Sequence, residues 1–236
     1  MLRPPHRSRA RRHSGLAAAT LLSVALAACS SPATEPVTAA PPSAAPGTAN
    51  CEYLTSGDAA RTVEPPPTTG VPATGKVRYT LALSGGPVTL TLDRAKAPCT
   101  VGSFASLADQ GYFDKTRCHR LVDSGIFVLQ CGDPTGSGSG GPGYTFADET
   151  TGSESYTAGV VAMANAGPDT NGSQFFLVWD DSTALDKIPN YTIFGTMDRQ
   201  SRDVVATMAS EGEDGTNSAG DGRPNNPSEI SRVTKG

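Results

Sequence analysis

The sequence predicts a mainly β domain, a sandwich or closed barrel, preceded by segments of a different character. Short β-branched or alternating apolar runs recur along residues 76–236, only two stretches have helical spacing, and no internal repeat is present. Val77–Leu83 and Val88–Leu92 are strand-like runs around Ser84-Gly85-Gly86-Pro87, which reads as a hairpin. Pro98 to Gln110 reads as a helix: proline suits its first turn, Val101, Phe104, Ala105, Leu107 and Ala108 form an apolar stripe, and Gly111 ends it. Gly102 weakens that helix by about 1 kcal/mol. Arg117–Val122 and Ile126–Cys131 read as strands around Asp123-Ser124-Gly125, and residues 132–143 as a glycine-rich loop. Gly159–Ala164, Ser173–Trp179 and Tyr191–Met197 follow as strands, Gln200–Ala209 as a second helix, 210–227 as an acidic loop and Ile230–Val233 as a last strand.

The chain has 236 residues, 37% hydrophobic and 18% charged, enough for one domain plus extra segments. Its net charge is −4, unevenly spread. All five arginines of residues 1–28 precede Leu16, and no acid accompanies them. Without that stretch Lys+Arg falls from 19 to 14 against 23 Asp+Glu, a charge of about −9. Such a chain is a poor nucleic-acid ligand, because phosphate contacts need clustered Lys and Arg. Only His119 remains after the leader, which excludes multi-histidine zinc sites.

Residues 3–12 are basic and 15–28 apolar, ending in Leu26-Ala27-Ala28-Cys29. This is a secretory signal, too short to span a membrane comfortably. Its ending resembles a bacterial lipobox, which implies cleavage before Cys29 and lipidation of that residue. Residues 30–50 are nearly all Ala, Pro, Ser and Thr, and 64–75 continue the pattern. The expected organisation is a signal peptide over 1–28, a lipidated cysteine and disordered tether of about 40 Å reach over 29–75, and the folded domain over 76–236. The protein is thus expected outside the cytoplasm, held to a bacterial membrane by lipid alone. Besides Cys29 there are four cysteines, Cys51, Cys99, Cys118 and Cys131, an even number that fits two disulfides with three connectivities. A pair involving Cys51 would tie the tether to the domain. The loop Gly136-Ser137-Gly138-Ser139-Gly140-Gly141-Pro142-Gly143 lacks the Lys-Ser/Thr ending of a nucleotide loop and opens no helix, so it reads as structural.

Two segments stand out: His119-Arg120-Leu121-Val122 with Phe127-Val128-Leu129-Gln130-Cys131-Gly132-Asp133, and Met163-Ala164-Asn165-Ala166-Gly167-Pro168-Asp169-Thr170-Asn171-Gly172-Ser173-Gln174-Phe175-Phe176. A loop between two strands explains the glycines of the second, but not Gln174, Phe175 and Phe176 entering one strand together. Here the chain resembles the cyclophilin family of peptidyl-prolyl isomerases, over about residues 76–236. The resemblance implies a closed eight-stranded antiparallel β-barrel capped by two α-helices, with a substrate groove on its outside. By the same resemblance Arg120 is the catalytic arginine, and Phe127, Val128, Phe176 and Leu185 clamp the proline. Gln130 orients Arg120 or the substrate carbonyl, Gln174 and Phe176 are the next strand's contribution to substrate binding, and Ala164 and Asn165 dock the peptide through their backbone.

The chemistry suits a site of this kind. Rotation about an X-Pro bond faces a resonance barrier of roughly 18–20 kcal/mol. Twisting pyramidalises the proline nitrogen, and a fixed guanidinium stabilises that lone pair more than the planar ground state. No nucleophile, metal or cofactor is required. The implied partners are proline-containing polypeptides, newly exported or unfolded, acted on by a monomer. The competing expectation is a catalytically weak, proline-peptide-binding holdase on the same fold. Ala184 stands where many family members carry tryptophan, which implies weak cyclosporin binding, and Tyr191, counted among the substrate-binding residues, stands where histidine is usual and can still donate one hydrogen bond from an aromatic ring. The Val122–Ile126 stretch is longer than usual by two residues. Strand alternation sets His119 opposite Arg120. If Arg120 and Gln130 share a face, it sets Cys118 and Cys131 on opposite faces, which disfavours a bridge between them and pairs each with Cys51 or Cys99.

Overall fold

The computed structural model describes residues 43–236. The leader, Cys29 and the tether up to residue 42 lie outside the described residues. In chain order the strands are β1 (Thr48–Ala49), β2 (Leu54–Thr55), β3 (Val71–Pro72), β4 (Lys76–Leu83), β5 (Gly86–Asp93), β6 (Thr116–Arg117), β7 (Arg120–Val122), β8 (Val128–Cys131), β9 (Tyr144–Thr145), β10 (Val160–Met163), β11 (Phe175–Val178), β12 (Ile193–Met197), β13 (Asp221–Gly222) and β14 (Glu229–Lys235). Helix α1 spans Pro98–Asp109 and α2 spans Arg199–Ala209. The predicted hairpin is β4–β5, in register from Lys76↔Asp93 to Leu83↔Gly86.

Alternation on this hairpin sends Val77, Tyr79, Leu81 and Leu83, with Val88, Leu90 and Leu92, into the main core. There they meet Val101, Phe104 and Leu107 of α1 and Val205 and Met208 of α2. The Phe104 ring is central, with Phe113, Phe175, Tyr79 and Phe194 ring centroids 5.1–5.6 Å away. Ala97 provides no side-chain cap for α1. The Glu149 carboxylate serves instead, accepting from the Cys99 and Thr100 backbone N–H groups at 2.9 and 2.8 Å. Asp198 caps α2 through the Ser201 N–H at 2.8 Å.

The main sheet has ten strands in the order β13-β7-β8-β11-β10-β12-β5-β4-β14-β6, every pairing antiparallel. It is an open half-barrel, not the closed eight-stranded barrel expected, although the mainly β class and the two helices stand. The predicted strand Arg117–Val122 is broken. β6 pairs with β14, β7 pairs with β8, and Cys118 and His119 between them belong to neither. At the break His119 donates its N–H to the Gln130 carbonyl at 3.0 Å, while Arg120 is the register partner of Gln130. Two residues facing one is a bulge, and it shifts the side-chain period by one.

That bulge overturns the expected cysteine pairing. Cys118 and Cys131 both turn into the core and are bonded to each other, with Cα atoms 3.9 Å apart. Cys51 is bonded to Cys99, with Cα atoms 5.5 Å apart.

The second disulfide belongs to a larger departure. Residues 43–75, expected as disordered tether, form a strap docked on the domain. β1 pairs with β3, and β2 pairs with β9 beyond the glycine loop. Tyr53 donates its hydroxyl to the Cys99 carbonyl at 2.8 Å. Arg61 Nη1 donates to the carbonyls of Gly111, Tyr112 and Asp114 at 2.8–2.9 Å, covering the turn that follows α1. Gly102 makes the docking feasible, since a Cβ there would lie 2.9 Å from Val71 Cγ1 and 3.2 Å from the Tyr53 hydroxyl. Composition failed here because few residues do the anchoring, and the rest of the strap follows as backbone.

Closing a loop between residues this far apart in sequence removes about 4 kcal/mol of unfolded-chain entropy on the chain-entropy model. The Cys51→Ser/Cys99→Ser double variant should therefore melt at lower temperature and be cut by protease within residues 43–75 before the sheet is attacked. Limited proteolysis read by mass spectrometry checks this, and cleavage no faster than in the wild type would show that the disulfide does not hold the strap.

Candidate functional site

The sheet carries apolar side chains on both faces where β7, β8, β11, β10 and β12 lie side by side. Leu121, Leu129, Cys131, Phe175 and Leu177 point into the main core. Val122, Val128, Phe176, Val178, Ala162, Val160 and Ile193 form a second cluster with Tyr156 on the outer face. Ile126, Ala164, Leu185 and Tyr191 pack on its edge. Continuous apolar runs such as Val160–Met163 and Phe175–Val178 are thus buried on both sides.

A cleft of about 130 Å³ opens over this cluster, lined by Arg120, Ile126, Val128, Gln130, Ala164, Asn165, Phe176, Leu185 and Tyr191. Of the ten residues singled out for catalysis and binding, eight meet here. Val128 and Gln130 are two apart on β8 and share its outer face, and Phe176 is the register partner of Gln130. Leu185 comes from a single 3-10 turn, Leu185–Lys187. Tyr191 is fixed through its backbone: its N–H donates to the Tyr156 hydroxyl at 3.0 Å, and that hydroxyl donates to the Tyr191 carbonyl at 2.9 Å. Its ring then stands edge-on to Phe176 with centroids 5.5 Å apart.

Three expectations change. Phe127 does not line the cleft. Its ring packs edge-on against Trp179 at 5.1 Å and its N–H donates to Ser182 Oγ at 2.8 Å, so Ile126 takes its place on the wall. Gln174 lies behind Gln130 and lines a neighbouring polar cavity of about 580 Å³, shared with Gln130, Ala164, Asn165 and strap residues 56–58. His119 does not face away from Arg120 either. The bulge turns both toward one cavity of about 230 Å³, bordered also by Gly138, Asn217 and Arg223. Neither His119 ring nitrogen has a hydrogen-bond partner among the described residues, and burial holds its pKa below the usual range, against the pull of Asp133.

One hydrogen-bonded chain orders the polar rim. Arg120 Nη1 donates to Gln130 Oε1 at 3.2 Å, and Gln130 Nε2 donates to Gln174 Oε1 at 2.8 Å. Gln174 Nε2 donates to the carbonyls of Gly138 and Gly140 at 2.9 and 3.0 Å. The glycine loop is itself wound around the buried Asp133 carboxylate, which accepts from the N–H groups of Thr135, Ser137, Gly138 and Gly140 and from the Thr135 and Ser137 hydroxyls. At the other end, Arg120 Nε and Nη2 donate to Asp221 Oδ1 and Oδ2 at 2.8 and 2.5 Å. That bonding raises the arginine's pKa further and lowers that of Asp221. Asp221 was missed in the sequence, where it is one acid among several in the 210–227 loop, 101 positions from its partner. Ile126 was equally hidden beside Phe127.

Asn165 is held by its side chain, whose Nδ2 donates to the Asn190 carbonyl at 2.9 Å. Its backbone N–H and carbonyl have no partner among the described residues, so they offer an edge on which an extended peptide can pair.

The family model described as cyclophilin type peptidyl-prolyl cis-trans isomerase/CLD matches residues 78–235. A Mycobacterium leprae protein described as a probable peptidyl-prolyl cis-trans isomerase B is 45% identical over 190 residues, covering 74% of this chain and 62% of the relative. Peptidyl-prolyl cis-trans isomerase B of Bacillus subtilis is 41% identical over 121 residues, covering 51% of this chain and 82% of the relative. The chain thus spans less than two thirds of the mycobacterial relative's length. A crystal structure of a Cryptosporidium parvum cyclophilin-type isomerase superposes with a TM-score of 0.60 at 27% identity, covering 69% of this chain and 98% of that one. A second structure of that protein, in the presence of the dipeptide Ala-Pro, gives 0.58 at 28% identity, covering 66% of this chain and 97% of that one.

The Asp133 carboxylate gives the site an acid limit. Burial alone would raise its pKa, but the hydrogen bonds from Thr135, Gly140 and Gly138 outweigh burial and bring it to about 2. A depressed carboxylate stabilises the fold above its unfolded pKa and loses that contribution as pH falls toward the folded value. Asp133→Asn should lower stability by on the order of 2 kcal/mol at neutral pH. Urea unfolding of both proteins should show that difference constant above about pH 4 and closing toward about pH 2; a pH-independent difference would contradict this account.

Proposed function

Since the chain belongs to the family of cyclophilin-type peptidyl-prolyl cis-trans isomerases, we propose that its outer cleft accelerates X-Pro rotation in proline-containing polypeptides. The observation that carries this reading is a side-chain arrangement: the Arg120 guanidinium lies at the rim of a small apolar cleft with part of its donor set still free. Val128, Phe176 and Leu185, with Ile126 and the Tyr191 ring, grip the proline ring. The Asn165 backbone holds the preceding peptide, so the clamp resists rotation on one side of the bond while the other side turns.

As the amide twists, its nitrogen gains a lone pair that the planar ground state lacks. Arg120 donates to that nitrogen and so lowers the barrier selectively. Gln130 keeps the guanidinium from rotating away. The proton stays on the arginine throughout, and no bond in the substrate is made or broken.

The setting is part of the proposal. Lipidation at Cys29 and an extracytoplasmic location are supported by the leader sequence and by the two disulfides, which persist in oxidising compartments. Newly exported or unfolded proteins are the corresponding substrates, and the protein works as a monomer. Weak cyclosporin binding follows from the small, exposed Ala184 beside the clamp, where no indole is offered.

Arg120→Ala in the full chain should lower kcat/KM for a short X-Pro peptide about 10²–10³-fold while peptide affinity stays within a few fold. Exchange spectroscopy by NMR, with the cysteines oxidised, measures both. A folded wild type that binds the peptide without accelerating exchange would replace the isomerase reading with that of a holdase.

A further inference from the structure

We infer that Asp221 is a positioning residue: the loop between α2 and β14 returns to the sheet to deliver a carboxylate that fixes the Arg120 guanidinium side-on and leaves its outer end open over the cleft. A guanidinium has five N–H groups. Nε and one N–H of Nη2 are taken by the two oxygens of Asp221, and one N–H of Nη1 is taken by Gln130. One N–H on each terminal nitrogen remains for a ligand. The carboxylate occupies the side of the guanidinium and does not cap its end, so the geometry is that of a brace and not of a blocking ion pair.

An arginine needs such a brace here. Its long side chain carries about 2 kcal/mol of rotamer entropy, and the Arg120 side chain is 36% exposed. Gln130 alone, at 3.2 Å, gives it one anchor. The two bonds from Asp221 set the plane of the guanidinium as well as its place.

Asp221 is itself rigidly presented. It lies on β13, in register with Val122 of β7, the strand that carries Arg120. Asp123 N–H donates to the Gly220 carbonyl at 3.1 Å, extending that attachment. Asn217 Nδ2 donates to Asp221 Oδ1 at 2.9 Å, so the oxygen that receives Nε is held from both sides. The next residue must be small, because a Cβ at Gly222 would lie 2.2 Å from Glu213 Oε2 and 2.8 Å from the Gly215 nitrogen. Brace and braced group thus share one β-ladder, and their separation is set by backbone pairing.

The kinetic arm of the test rests on the isomerase reading; the spectroscopic arm does not. In the full chain, Asp221→Ala should lower kcat about tenfold or more while peptide affinity stays within twofold. Asp221→Asn, which keeps one acceptor, should recover part of the loss. The Arg120 Nε–H resonance, sharp and slow to exchange with water in the wild type, should broaden or vanish in Asp221→Ala. In an Arg120→Ala background, Asp221→Ala should cost nothing further, because its effect passes through the arginine. Backbone amide spectra confirm that each variant is folded, and Asp221→Asn alone carries the test if the alanine variant is not.

Unchanged kcat in the folded variants, a rise in kcat, or an equal loss in the Arg120→Ala background would each overturn the inference. If the wild type shows no isomerisation at all, the proposed function fails, and the Nε–H resonance still decides whether Asp221 fixes Arg120.

Discussion

Everything at the site depends on a sheet that is apolar on both faces over a few central strands. Phe175 and Phe176 show the constraint most simply. They are adjacent on β11, so their side chains go to opposite faces. Phe175 joins the ring cluster around Phe104, and Phe176 forms the floor of the outer cleft. A slip of β11 by one residue would exchange the two and set Gln174 against the core. The site is therefore held in register by the same burial that stabilises the domain, and the clamp residues need no separate scaffold.

The polar rim solves a different problem, which is to keep flexible side chains still beside an apolar surface. It does so as one connected system, from Asp221 through Arg120, Gln130 and Gln174 to the glycine loop and Asp133. Both ends are carboxylates, and each is held by backbone or side-chain donors of its own loop. Linked hydrogen bonds in partly buried surroundings reinforce one another, and a missing member leaves its neighbours unsatisfied. The two loops that look least ordered by composition, one rich in glycine and one rich in acids, are the two that terminate this chain.

Much of this was legible in the sequence, and the failures have a common cause. The β4–β5 hairpin, both helices and the strands before and after the Asn165 loop follow from local period and turn chemistry. Most residues of the cleft followed from two long motifs in matched order and the family resemblance they carry, but Ile126 did not. What could not be read depends on one residue breaking a period or on distant pairing. The bulge at His119 moved Cys118 into the core beside Cys131, opened the strand expected over Arg117–Val122 and brought His119 to the same side as Arg120. The exchange of Ile126 for Phe127 is a similar local rotation. The strap is ordered by Cys51, Tyr53, Arg61 and Val71, too few anchors to change its composition. Asp221 carries no local mark at all.

The pairing of β14 with β4 also bears on how the protein is made. Among the described strands β4 is the first long one, and its outer edge is covered by β14, through Thr234↔Thr80 and Lys235↔Tyr79. Until β14 is in place, a completed β4–β5 hairpin presents an open ladder of N–H and C=O groups to any neighbouring chain. Native closure of this edge must therefore await β14, and a variant lacking that strand would keep a sticky edge. A protein proposed to help others through slow conformational steps thus passes its own vulnerable interval before it can begin.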